Sequence, residues 1–152
     1  CFDISHIQGT NTVASMVMFE NGVPKKSEYR KFKIKTVENG KPDDFKSLQE
    51  VVRRRYQRLV NENKALPDLI IIDGGKGQLS SVMQVVEDMG VVGIDFVSLA
   101  KREEEVFLPN KSRPVRIPID SNAMFLIQRI RDEAHRFAIT YHRDLRSKAL
   151  KH

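Results

Sequence analysis

The chain has 152 residues, 40% of them hydrophobic, which suits one ordinary domain with a real core. Its single cysteine, Cys1, excludes a disulfide framework and points to a reducing, cytoplasmic setting; no signal peptide is visible, and no run approaches the ~18 apolar residues of a membrane helix. The formal net charge of +6 favours a polyanionic partner, nucleic acid or phosphate, with simple solubility as the plain alternative.

The chain opens in strand sequence with no initiator methionine, as expected of a domain cut from a longer protein. Residues 1–5 alternate, Phe2 and Ile4 on one face, Asp3 and Ser5 on the other. Gln8-Gly9-Thr10-Asn11 is a turn, and the apolar, partly β-branched run Thr12 to Phe19 is a second strand. Asn21-Gly22 signals a hairpin because it tolerates positive φ. Tyr29 to Lys35 alternates strictly, which predicts a third strand antiparallel to the second. After the break at Asn39-Gly40-Lys41-Pro42, Asp43 and Asp44 suit a helix start. Phe45, Leu48, Val51, Val52, Tyr56, Leu59 and Val60 carry that helix to about Asn61. Leu69 to Ile72 reads as a buried parallel strand closed by Asp73. A second helix runs from about Gly77 to Met89, ended by Gly90, and Ile94 to Leu99 is a fifth strand. Residues 101–118 are a charged, Pro-interrupted loop or a short β excursion (Val106–Leu108, Val115–Ile117). Ser121-Asn122 caps a last helix to about Leu145, followed by a fraying basic tail.

The order β-β-β-α-β-α-β-α predicts an α/β domain spanning 1–152: a mixed five-stranded sheet, three antiparallel strands then parallel α/β units, flanked by helices. This is the order of the ribonuclease H-like fold. A right-handed crossover puts the fourth strand beside the first, so Asp3 and Asp73 would be neighbours.

An ionised acid in an apolar strand is costly unless paired or metal-bound, so Asp3 is either a ligand or an edge residue facing solvent or a lysine. Asp73 ends a buried parallel strand, the usual place for ligands, and precedes Gly74-Gly75-Lys76-Gly77. Glycines there allow close approach of a phosphate, with Lys76 to pair it; a tight turn with a helix-capping aspartate is the structural alternative. The spacing is neither that of a Walker A loop nor Gly-x-Gly-x-x-Gly. His135 shares a polar helix face with Gln128, Arg131 and Asp132, which alone fits an ordinary surface histidine. His6 could line the same cleft as Asp3, while His142 reads as solvated. Of the basic clusters, Lys31/Lys33/Lys35 forms a one-faced row suited to a phosphate backbone, and the charged loop 101–118 could serve the same end. Arg53-Arg54-Arg55 and Arg129/Arg131/Arg136 must in part be solvated helix faces.

Taken together, four stretches resemble one family: Cys1-Phe2-Asp3-Ile4-Ser5-His6-Ile7-Gln8-Gly9, Ile72-Asp73-Gly74-Gly75-Lys76-Gly77-Gln78-Leu79, Leu99-Ala100-Lys101-Arg102-Glu103-Glu104, and Arg131 through Ile139. They resemble the C-terminal nuclease region of UvrC, the incision subunit of bacterial nucleotide excision repair. The resemblance implies a ribonuclease H-like endonuclease that cuts DNA 5′ to a lesion. It implies an Asp-Asp-His set matching Asp3, Asp73 and His135, which would hold Mg²⁺ or Mn²⁺. It also implies double-stranded damaged DNA as substrate, UvrB as partner and UvrA indirectly. In that family a GIY-YIG nuclease and a UvrB-binding segment lie N-terminal, and a tandem helix-hairpin-helix module follows. Gly74, Gly75, Lys76, Lys101 and Arg131 are the expected phosphate contacts. Two other readings compete: a non-catalytic nucleic-acid-binding module on the same fold, and a phosphate-handling enzyme built on Asp73-Gly74-Gly75-Lys76.

Overall fold

The computed structural model describes residues 1–7, 11–35, 43–100 and 105–150, with only the backbone described for Ile7, Asn11 and 141–150. The expected turn at 8–10, the break at 39–42, the stretch Lys101-Arg102-Glu103-Glu104 and the side chain of His142 lie outside them.

Strand β1 (Phe2–Ile7) pairs antiparallel with β2 (Asn11–Met16), which pairs antiparallel with β5 (Arg30–Lys33). Between them a separate hairpin, β3 (Phe19–Glu20) and β4 (Val23–Pro24), turns through Asn21 and Gly22 at φ of 54° and 81°. The second strand therefore stops at Met16 rather than Phe19, because Phe19 and Glu20 pair within that hairpin. Helix α1 (Asp44–Asn61) starts on the Asp43 side chain, which accepts from the amides of Phe45 and Lys46. Strand β6 (Leu69–Asp73), helix α2 (Lys76–Asp88) and strand β7 (Asp95–Leu99) follow as a parallel unit. Helix α3 (Asn122–Leu150) closes the chain; the Ser121 hydroxyl accepts from the Met124 amide.

With two more short strands, β8 (Glu105–Phe107) and β9 (Val115–Arg116), the sheet order is β5-β2-β1-β6-β7-β8-β9. Its first five strands are those expected, but the sheet has seven. Strands β8 and β9 form a hairpin that extends it antiparallel along β7. The physical reason is the β7 edge, whose amides and carbonyls would otherwise lack partners; Val106, 3% exposed, also packs on Leu99 and Met124. Helix α3 also runs to Leu150 rather than ending near Leu145, since 146–150 contains no glycine or proline to stop it.

One sheet face carries the main core: Phe2, Ala14, Met16, Ile72 and Phe96 against Leu48, Val51 and Val52 of α1 and Leu79, Val82 and Val86 of α2. The other face is covered by α3, which packs on β1 and β2 through its buried Ala134 and Ala138. Period-two alternation along β1 sends Phe2 and Ile4 to the first face and Asp3 and Ser5 to the second. Asp3 therefore emerges beneath α3.

Candidate metal centre

The parallel register sets the site. Phe2 lies opposite Ile72, so the next residues along the two strands, Asp3 and Asp73, sit side by side. Helix α3 crosses that point and adds His135. Its Nε2 is 2.5 Å from Asp73 Oδ2 and 3.9 Å from Asp3 Oδ1. One ligand atom from each of the three residues lies within 4.8 Å of the others, the one such group among the described residues. The carboxylates are recessed, with side chains 6% exposed at Asp73 and 13% at Asp3, while His135 stands at the mouth at 42%.

Asp73 is held by the turn that follows it. The Gly74 amide donates to Leu99 O at 3.1 Å, the Gly75 amide to Gln78 Oε1 at 3.0 Å, and the Ser98 hydroxyl to Gly75 O at 3.2 Å. Gly74 is required here: its φ is +155°, and a Cβ would lie 2.7 Å from Gln78 Cγ. The glycines thus make room for the cap of α2. Both amide donors are thus used within the fold, as in the tight-turn alternative that the sequence also allows. The same pairing weighs against a phosphate-handling loop at this turn.

Asp73 Oδ1 is buried and accepts no hydrogen bond among the described residues. A bare carboxylate oxygen in a recess is costly. Two carboxylates and one imidazole, with a ligand atom of each within 4.8 Å of the others, form a mostly anionic donor set of the kind that holds a divalent cation. The residues fit such an ion on those two grounds.

Of the other expected contacts, Lys76 begins α2 with its Nζ 3.3 Å from Ser112 O. Arg131 lies one turn before His135 with Nε 3.8 Å from Asp132 Oδ1. Lys101 is outside the described residues. His6 is not part of the cleft: it shares the α1 face with Phe2 and Ile4, bonding Thr12 Oγ1 at 3.1 Å and Asp44 Oδ1 at 2.5 Å. Arg55 is buried and pairs with Glu28 at 3.6 Å, and Arg54 donates to Lys33 O and Glu50, so two of the three arginines at 53–55 serve the fold. In the lysine row, Lys31 lies 5.0 Å from the centre of the Phe137 ring.

Two features escaped the sequence. Ser15, fully buried and opposite Asp3 on β2, has a hydroxyl without a partner; a serine inside an apolar strand was the available signal. Glu133 ties α3 to the chain before β5, accepting from Tyr29 Oη at 2.6 Å and from Arg136 Nε and Nη2 at 2.5 and 3.0 Å. Those arginine hydrogen bonds, aided by Tyr29, hold the Glu133 carboxyl down at about 2 against the cost of burial. Burial, then the bond to Glu133, pushes the Tyr29 phenol well above its ordinary range.

No helix among the described residues is long and apolar enough to cross a membrane. Residues 1–139 match the family described as the UvrC RNAse H endonuclease domain. The chain is 56% identical over 149 residues to the UvrABC system protein C of Christiangramia forsetii, covering 97% of this chain and 25% of that protein. The protein of the same name from Gemmatimonas aurantiaca is 56% identical over 147 residues, 97% of this chain and 24% of its own length. That of Methanosarcina mazei is 56% identical over 150 residues, 99% and 28% respectively. The chain thus spans about a quarter of the length of these relatives. A seven-stranded mixed sheet that brings two aspartates and a histidine together, and a family match over nearly all of its length, agree: the chain belongs to the UvrC RNase H endonuclease domain family.

Proposed function

We propose that this domain hydrolyses a DNA phosphodiester 5′ to a lesion during nucleotide excision repair, with Asp3, Asp73 and His135 holding Mg²⁺ or Mn²⁺. The observation that carries the reading is the convergence of those three side chains beside a carboxylate oxygen with no other partner. When bound, the cation neutralises charge on the phosphate and lowers the pKa of a coordinated water.

The residues divide the remaining work. Asp3 and Asp73 supply anionic oxygens from two adjacent strands, so their separation is fixed by backbone hydrogen bonding and not by side-chain choice. The pinned Asp73-Gly74-Gly75 turn keeps the second carboxylate from swinging away. His135, as a neutral imidazole, offers a nitrogen lone pair either to the cation or to the attacking water, which it orients and deprotonates. Lys76 and Arg131 supply positive charge beside the scissile strand, and damaged duplex DNA, UvrB and, through it, UvrA are the partners of the full-length protein.

The test uses the full-length protein with UvrA and UvrB on a duplex carrying one lesion. Asp73→Asn keeps the size of the side chain and removes its charge. It should abolish 5′ incision while DNA affinity is kept or rises slightly, because the lost charge repels phosphate and does not attract it. Retained incision would remove Asp73 from the mechanism. No nicking by the parent protein with Mg²⁺ or Mn²⁺ supplied would favour the non-catalytic DNA-binding reading, and nicking that needs no divalent cation would contradict the metal assignment.

A further inference from the structure

A second charged concavity lies outside the acid–imidazole cluster. It is a recess of about 400 Å³ between the outer face of α3 and the β3–β4 hairpin, walled by Phe19 and Pro24. Three cations reach it: Lys26 from the turn before β5, and Arg129 and Arg136 from α3.

The two acids in the same recess do not cancel these cations. The Glu133 carboxylate is fully engaged, accepting from Tyr29 Oη and holding Arg136 through both Nε and Nη2. That fork fixes the arginine's plane and leaves its remaining N–H donors outside the fork. Asp132 is 72% exposed and leans toward Arg131. Lys26 acts on the Glu133 carboxylate through space, but neither Lys26 nor Arg129 forms a close ion pair with a carboxylate among the described residues. Instead the Arg129 guanidinium sits 5.9 Å from the centre of the Phe19 ring, which holds it over the recess without spending its charge.

Position matters as much as charge. Arg136 directly follows His135, so it is turned ~100° around the same helix. A helix with side chains is ~10–12 Å across, so the recess lies on the order of 10 Å from the imidazole. With one phosphate for every ~3.4 Å of axis per strand, that is a few nucleotides along a DNA backbone.

We propose that this recess binds a backbone phosphate of the DNA duplex near the scissile bond, with Lys26 and Arg129 as the contacting cations and Arg136 as a pre-oriented third. The proposal rests on the nuclease reading for its choice of polyanion. An acidic protein segment is the competing occupant, and a planar arginine fork with two further cations beside a phosphodiester-cutting site favours DNA.

The experiment measures binding without catalysis. A fluorescent undamaged duplex is titrated with this domain in EDTA at several salt concentrations. The variants are K26A/R129A and, as a control for charge alone, R58A/K64A at the far end of α1. Each lost phosphate contact lowers the salt slope by ~0.9 and the affinity at 0.1 M salt by roughly eightfold. With one phosphate contact removed, the K26A/R129A protein should therefore lose about eightfold in affinity and flatten the slope by about one, while the control stays within about threefold. Equal losses in both variants would reduce the effect to long-range charge and overturn the site. Unchanged DNA binding together with lost binding of an Asp/Glu-rich peptide would assign the recess to a protein partner. No duplex binding by the parent domain even at low salt would also overturn it. Because EDTA removes metal-dependent chemistry, a failure here leaves the incision test on Asp73 standing.

Discussion

Gly74→Ala tests how the domain aims its second carboxylate. At φ of +155° a side chain strains the backbone, which costs about 1–3 kcal/mol. The new Cβ would also stand 2.7, 2.9 and 3.0 Å from Gln78 Cγ, Cβ and Cδ. Gln78 must swing away, and its 3.0 Å hydrogen bond to the Gly75 amide is lost, for another ~0.5–1.5 kcal/mol. The sum is about 1.5–4.5 kcal/mol, a large fraction of a domain's stability. Urea unfolding followed by circular dichroism in EDTA measures it, with an unchanged slope m as the check that only stability moved. Gly77→Ala is the contrast, since its Cβ meets the Phe45 ring at 3.1 Å. That ring is 46% exposed and can yield, while alanine gains up to ~1 kcal/mol of helix propensity over glycine. Gly77→Ala should then be near neutral or stabilising. A loss below about 0.5 kcal/mol for Gly74→Ala, or equal losses at the two glycines, would refute the reasoning that the turn needs Gly74 for its backbone and for Gln78.

Two further outcomes follow from groups on α3 and β2. Ser15→Ala removes a buried hydroxyl that has no partner, so it should leave the metal-free domain as stable or up to ~1 kcal/mol more stable; a loss of more than that in urea unfolding would show a hidden partner. Glu133 has a carboxyl held at about 2 against an ordinary 4.5, so the folded state favours its charged form. Its contribution is complete above pH ~4.5 and is lost as the pH falls toward 2. The parent protein should lose stability across that window faster than Glu133→Gln, and parallel losses in the two proteins would contradict the assignment.

Much of the site could be read from the residues because it depends on strand order and alternation. The apolar run Leu69 to Ile72 ending at Asp73, and the alternation of Phe2-Asp3-Ile4-Ser5, together fix two acids on neighbouring strands once the crossover is right-handed. His135 was different: its helix face is polar, and only the family resemblance drew it toward the acids. The seventh and sixth strands were ambiguous because Val106–Leu108 and Val115–Ile117 are too short for periodicity to decide, and pairing to the β7 edge is a non-local effect. The glycines are ambiguous for a related reason. A glycine pair after a strand is compatible with phosphate binding and with a helix cap alike. Gln78, three residues on, decides between them only when its side chain is seen on the Gly75 amide.

Asp3, Asp73 and His135 are proposed to hold a divalent cation together. The most direct measurement is anomalous diffraction from crystals of this domain soaked in Mn²⁺, with Asp73→Asn crystals treated alike. The account predicts one ion ~2–2.5 Å from carboxylate oxygens of both aspartates, beside the imidazole, and its loss in the variant. Manganese bound elsewhere only, or the same ion persisting in Asp73→Asn, would contradict it.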